Sequence, residues 1–167
     1  GGTFSEAAAA AAASATSAEL NQRGEKGNTP FLFAAYLNEV PVLKGLVAGG
    51  RGLVEMASVN DTGNTALHLA AVSDSADAVQ FLLAQPAVLA ASLDHAKDWG
   101  ETPLHLAAAA EHKQCCILLL AAGADAQATD SWGRSAVVVG NESGGARLGC
   151  VFAGMDAGNE AATVLPA

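Results

Sequence analysis

The run Thr102-Pro103-Leu104-His105-Leu106-Ala107-Ala108 constrains this chain most, because it recurs. Thr65-Ala66-Leu67-His68-Leu69-Ala70-Ala71 lies 37 residues before it, and Thr29-Pro30-Phe31-Leu32-Phe33-Ala34-Ala35 a further 36 before that. A worn copy, Ser135-Ala136-Val137-Val138-Val139-Gly140, starts 33 residues after Thr102. Each copy has a glycine two residues ahead of it: Gly27, Gly63, Gly100 and Gly133. Self-similarity at a fixed period predicts units that stack on their neighbours and argues against one closed core.

A heptad of this kind at a period near 33 resembles the ankyrin repeat, a β-turn followed by two antiparallel helices. The resemblance implies an all-α ankyrin-repeat solenoid, built of helix–turn–helix pairs with β-turn fingers. Its four units fall at about 27–62, 63–99, 100–132 and 133–154, the last degenerate, with residues 155–167 as a tail. Thr29, Thr65 and Thr102 stand where a hydroxyl caps the first helix, and Pro30 and Pro103 follow at its first position, which needs no N–H. Leu67, Leu69, Leu104 and Leu106 are expected to face the core between units, and the alanine pairs to let helices approach closely. In this family the histidine, here His68 and His105, hydrogen-bonds within and between units. The resemblance therefore assigns it to structure, and Leu32 and Val138 replace it in the outer copies.

Second helices follow at the expected offset. Cys115, Cys116, Leu118, Leu119 and Leu120 form an apolar stripe that ends at Gly123, a helix-terminating glycine. Val42, Leu43, Leu46 and Val47, followed by Gly49-Gly50, play this part in the first unit, and Ala78, Val79, Phe81, Leu82 and Leu83 in the second. The longer second unit implies about four extra residues between Gln85 and Asp94, expected in a loop. Residues 1–26 read as the remnant of a preceding unit: a helix over the Ala7–Ala13 tract, where alanine favours helix, then a return loop at Ala18–Asn21. The alternative for the tract is a flexible low-complexity leader. The chain opens on Gly1-Gly2 without methionine and reads as a piece of a longer protein. In the fourth unit, Ala136 to Asn141 and Arg147 to Gly154 can form a helix pair starting near Ser135; Val137-Val138-Val139 and Gly140 are poor helix formers, but Leu148, Val151 and Phe152 keep helical spacing.

Composition narrows the function classes. A net charge of −9 disfavours binding to a nucleic-acid backbone, which needs clustered Lys and Arg. It suits a protein partner with a basic surface, and equally suits solubility alone. No strongly apolar run is long enough to span a bilayer, so direct membrane insertion is not expected. Three cysteines, two of them adjacent, make no disulfide framework, and the expected location is intracellular, in the cytoplasm by default.

Chemistry is absent from the sequence in recognisable form. There is no phosphate loop, since Gly144-Gly145 lacks the lysine, and no cofactor is implied. His112 with Cys115 and Cys116 offers no second pair for a tetrahedral zinc site. Asp125 and Asp130 read as loop residues without a partner acid or base, and His95 as an exposed residue of the inserted loop. The chain is thus expected to be a non-enzymatic protein-interaction module, part of a scaffold, an adaptor or a large assembly. The alternative is the regulatory ankyrin domain of an enzyme or channel whose working part lies elsewhere.

The family binds through the finger tips and the exposed ends of the first helices. Carried over, this places partner contacts at Lys26, Asn28, Asp61, Asn64, Asp98, Trp99, Glu101, Trp132 and Arg134 on the fingers, and at Tyr36 and Leu37 after the first alanine pair. Trp99 and Trp132 hold equivalent positions 33 residues apart and should be neighbours on adjacent fingers. Either they anchor a partner, as tryptophans at interfaces do, or each lies over the next finger's backbone and stiffens it.

Overall fold

The computed structural model describes residues 16–50, 52–143 and 149–152, and of Gly149 and Cys150 the backbone only. A short helix α1 (Ser17–Leu20) precedes three complete helix pairs: α2 (Pro30–Tyr36) with α3 (Val40–Gly49), α4 (Ala66–Val72) with α5 (Ala76–Leu83), and α7 (Pro103–Ala109) with α8 (Lys113–Ala121). An extra helix α6 (Pro86–Ser92) follows α5, and α9 (Ala136–Glu142) and α10 (Gly149–Phe152) close the array. First helices α2, α4, α7 and α9 pack in one row, and second helices α3, α5 and α8 in a row behind. Among the described residues the only β-pairing outside the helices is an isolated bridge, Thr129 to Ser135. The fold is the all-α solenoid that the period predicts.

The heptad explains each first helix. Thr29 caps α2, its hydroxyl accepting from the Leu32 N–H at 3.3 Å, and Ser135 caps α9 in the same way through Val138. Ala34–Ala35, Ala70–Ala71 and Ala107–Ala108 are all buried, and their small side chains bring neighbouring helices together. Phe31, Leu67 and Leu104 are fully buried one turn earlier. Leu106 is only half-buried, a departure from its expected core position. Helices α2, α4 and α7 are each followed by a left-handed residue, Asn38, Asp74 and Glu111. The following N–H closes a six-to-one bond, from Glu39 to Ala34, Ser75 to Ala70 and His112 to Ala107, each at 2.9 Å. That cap reverses the chain into the second helix.

Buried positions on the second helices fall three and four apart, Ala78, Val79 and Leu82 on α5 and Cys115, Cys116 and Leu119 on α8, giving one apolar face. After α8, Gly123 takes φ +95°, and Gly123 and Ala124 donate back to Leu120 and Leu119. The first unit ends differently: α3 runs through Gly49, Gly50 stays right-handed, and Gly52 supplies the positive φ of +81°.

Two local expectations are corrected. The extra residues of the second unit form α6 instead of a loop, with Pro86 starting it and Val88 fully buried against the array. Proline at the first helical turn and an alanine-rich continuation favour a helix once one side can be buried. Ala18–Asn21, read as a return loop, contains most of α1, which a Thr16–Glu19 capping box opens. Asn21 still joins it to the next unit, donating to the Leu53 carbonyl at 2.7 Å and accepting from the Glu55 N–H at 2.8 Å. The helix expected to start near Ser135 is present as α9: Val137, Val139 and Gly140 lie in it despite poor propensity, because burial of that face against α7 outweighs it. The helix expected over Ala7–Ala13 lies outside the described residues.

Candidate protein-binding surface

Four fingers carry the candidate surface, and one backbone device builds them all. In each, the N–H of the residue three before the glycine donates to the carbonyl of the residue one after it: Gly24 to Asn28, Asn60 to Asn64, Lys97 to Glu101 and Asp130 to Arg134, at 2.9–3.1 Å. The glycines sit at φ +69° to +75°, where a side chain is strained. A Cβ on Gly100 would also press the neighbouring backbone at Ser131 and Asp130, so adjacent fingers lie close. Bonds between fingers fix the row: Asp61 N–H to the Lys26 carbonyl at 3.0 Å, and Ser131 N–H to the Trp99 carbonyl at 2.9 Å.

Side chains finish the turns in two ways. Asn60 Oδ1 accepts from the N–H groups of Thr62 and Asn64, and its Nδ2 donates to Asn28 Oδ1 on the first finger. Seventy residues on, Asp130 Oδ1 accepts from Trp132 and Arg134 in the same pattern, while Oδ2 takes the Arg134 guanidinium at 2.9 and 3.0 Å. Burial works to raise the Asp130 pKa, but the Arg134 N–H, the guanidinium and the Trp132 N–H outweigh it and hold the carboxyl below its ordinary range. Asp130 thus has a cationic partner, and its role is to shape the finger.

The histidines latch one unit to the next. Thr65 N–H and hydroxyl meet His68 Nδ1 at 3.3 and 2.9 Å, and Nε2 reaches the Glu101 carbonyl at 3.0 Å. A carbonyl can only accept, so Nε2 carries the proton. His105 repeats the arrangement between Thr102 and the Arg134 carbonyl. Burial pushes His68 down to about 4, with smaller contributions from His95 and Lys97, so its ring is neutral near pH 7. His95 is not the exposed loop residue expected. It is half-buried and packs edge-on against His68, ring centroids 5.9 Å apart.

Trp99 and Trp132 are neighbours, as their spacing predicts. Their rings stack 5.8 Å apart at 24°, and the Arg134 guanidinium lies over Trp132, 5.0 Å from its centroid. Each indole lies on the other. Both remain 59% exposed.

A second feature lies at the other end of the row. An open groove of about 900 Å³ runs between the first two fingers and the ends of α2 and α4. Lys26, Asn28, Tyr36 and Asn64 line it, and so do Phe33 and Arg23, which sequence reasoning missed. Phe33 corresponds to Leu69 and Leu106 and so reads as a core position, yet it is 52% exposed, whereas Leu69 is 9%. An aromatic ring where the inner copies carry leucine was the available signal.

The expected contact residues therefore divide. Tyr36 faces the groove, Leu37 is exposed beside it, and the tryptophans are not among the groove's lining residues. Asp61 is exposed, 3.8 Å from Arg23, and Asp98 has no ion-pair partner among the described residues. Glu101 is half-buried, its carboxylate paired with Lys97 of the same finger at 2.8 Å. Arg134 is likewise held by Asp130 and Glu142.

Elsewhere the chemistry is structural. Cys115 and Cys116 are buried, which pushes both thiols up to about 12 and keeps them protonated. His112 donates from Nδ1 to the Ala71 carbonyl at 2.8 Å. Among the described residues no group of His, Cys, Asp and Glu could hold a metal ion, and no helix is long and apolar enough to cross a membrane. In comparison with known families, the model described as ankyrin repeats (3 copies) matches residues 6–91 and 53–130. No curated protein matches the chain.

Proposed function

The chain belongs to the ankyrin repeat family, whose members are general protein–protein interaction modules, and on that premise we propose that it binds one protein partner across its finger row. The reading assigns no catalysis to the chain. Its surface would serve a scaffold, an adaptor or a subunit of a larger assembly in the cell interior, with Tyr36 and Leu37 at one end and the tryptophan pair at the other.

The observation that carries this reading is the exposed Trp99–Trp132 stack, placed by fingers that are closed by their own backbone hydrogen bonds and tied to one another by the Ser131 N–H on the Trp99 carbonyl. Tryptophan loses little conformational freedom on docking and concentrates interface energy, so a fixed exposed pair suits an anchor. Polar residues around it supply the rim.

The test is capture of a partner by the intact chain, followed by loss on substitution. Trp99→Ala with Trp132→Ala should weaken binding at least about tenfold to a hundredfold, with the helical circular dichroism unchanged. Phe33→Ala with Tyr36→Ala should weaken the same partner if it spans the row. Gln80→Ala with Lys113→Ala, on the second helices, should leave affinity within about twofold. The reverse ranking would move the binding surface to the outer face.

A further inference from the structure

We propose that the Trp99–Trp132 stack receives an arginine side chain from the partner, on the Trp99 side of the stack; this rests on the reading of the finger row as the binding surface. The chain supplies its own precedent, because Arg134 already sets a guanidinium over Trp132, 5.0 Å from the ring centroid. A planar cation over an indole gains from the ring's negative face and from stacking, which an ammonium matches less well. Trp132 has this cation and Trp99 as ring neighbours, whereas Trp99 has the Trp132 stack as its one ring contact among the described residues and stays 59% exposed.

The preceding finger leaves room for a guest. Thr62 holds the position equivalent to Trp99 and is too small to continue the stack. Charge selects what enters. Fingers two to four bring Asp61, Asp98, Glu101 and Asp130, the end of α9 adds Glu142, and the fingers' cations Lys97 and Arg134 are already paired with carboxylates of this set. Asp98, adjacent in sequence to Trp99, is exposed and has no ion-pair partner among the described residues. A bound guanidinium can therefore stack on Trp99 and donate to Asp98 in one pose, which an acidic or purely apolar side chain cannot do.

The protein contains two tryptophans, Trp99 and Trp132, so its indole fluorescence reports on this stack alone. Titration of the intact chain with a hexa-arginine peptide should give a saturable change in emission, and a hexa-glutamate peptide none. By calorimetry, Trp99→Ala should weaken the peptide at least tenfold and Asp98→Asn about fivefold. Glu39→Gln, an equal charge change on an exposed residue between α2 and α3, should alter affinity less than twofold. Unsaturable or absent binding overturns the proposal. So does equal weakening by Asp98→Asn and Glu39→Gln, which would reveal diffuse charge attraction. Unchanged binding by a folded Trp99→Ala chain, or a concentration-dependent dimer that buries the indoles without peptide, also overturns it. If a captured protein partner depends on the tryptophans while the arginine peptide fails, the arginine pose falls and the interaction reading stands.

Discussion

The junction between the second and third units and that between the first and second share one backbone plan but are held by different chemistry. At the inner junction, His68 is buried and spans from Thr65 to the Glu101 carbonyl, a polar latch satisfied at both ring nitrogens. At the outer one, Leu32 is fully buried in the histidine's place, and the fingers are tied instead by Asn60 to Asn28 and by Asp61 to the Lys26 carbonyl. A stacked array can fill the histidine's place with apolar volume and leave the polar ties to the fingers. The histidine adds directional bonds, and with them a liability to acid.

The largest expected effect comes from breaking the inner latch. His68→Ala leaves a cavity and strands the Thr65 N–H, and should destabilise the chain by about 4 kcal/mol in chemical denaturation. Leu32→Ala removes volume only and should cost about 3 kcal/mol. If the leucine variant proved the more damaging, the latch would contribute less than its bonds suggest.

Acid should separate the two junctions next. His68 titrates at about 4 in the folded chain against 6.5 when exposed, so between those values the unfolded state binds more protons. Its contribution is complete above about pH 6.5 and is lost as pH falls toward 4, a change of about 3 kcal/mol. Denaturation at several pH values should show this slope, and His68→Leu should flatten it. A wild-type slope retained in His68→Leu would assign the effect to other groups.

Smaller effects sharpen the finger comparison. Gly100→Ala meets both a positive φ and the backbone of the next finger, and should cost about 2 kcal/mol, whereas Gly133→Ala has open space and should cost about 1. Finally, hydrogen exchange should protect Leu104–Ala108 more than Val137–Val139, because the inner helix packs on both sides while the last one carries Gly140. Equal protection would show that the closing unit is as firm as the inner ones.

Much of this architecture was legible because a repeat states its own period. Thr29, Thr65, Thr102 and Ser135 all stand at helix starts, and the tryptophan spacing alone placed the two indoles together. Less legible was everything that depended on contacts between units. Helix α6 reads as an inserted loop until burial of Val88 gives it a side to pack. Phe33 reads as core, and it is exposed because the groove, and not a neighbouring helix, lies over its ring. Glu101 reads as a free finger-tip charge until Lys97 is found beside it.

By itself, the sequence determined the stacked all-α fold, the capping threonines, the alanine pairs and the finger glycines, because each follows from local backbone geometry repeated at a fixed interval. Only the tertiary structure decided which charges are free, which rings are exposed and which carbonyls the histidines hold. Those properties belong to pairs of units some 29 to 41 residues apart, and no local pattern in the chain encodes them.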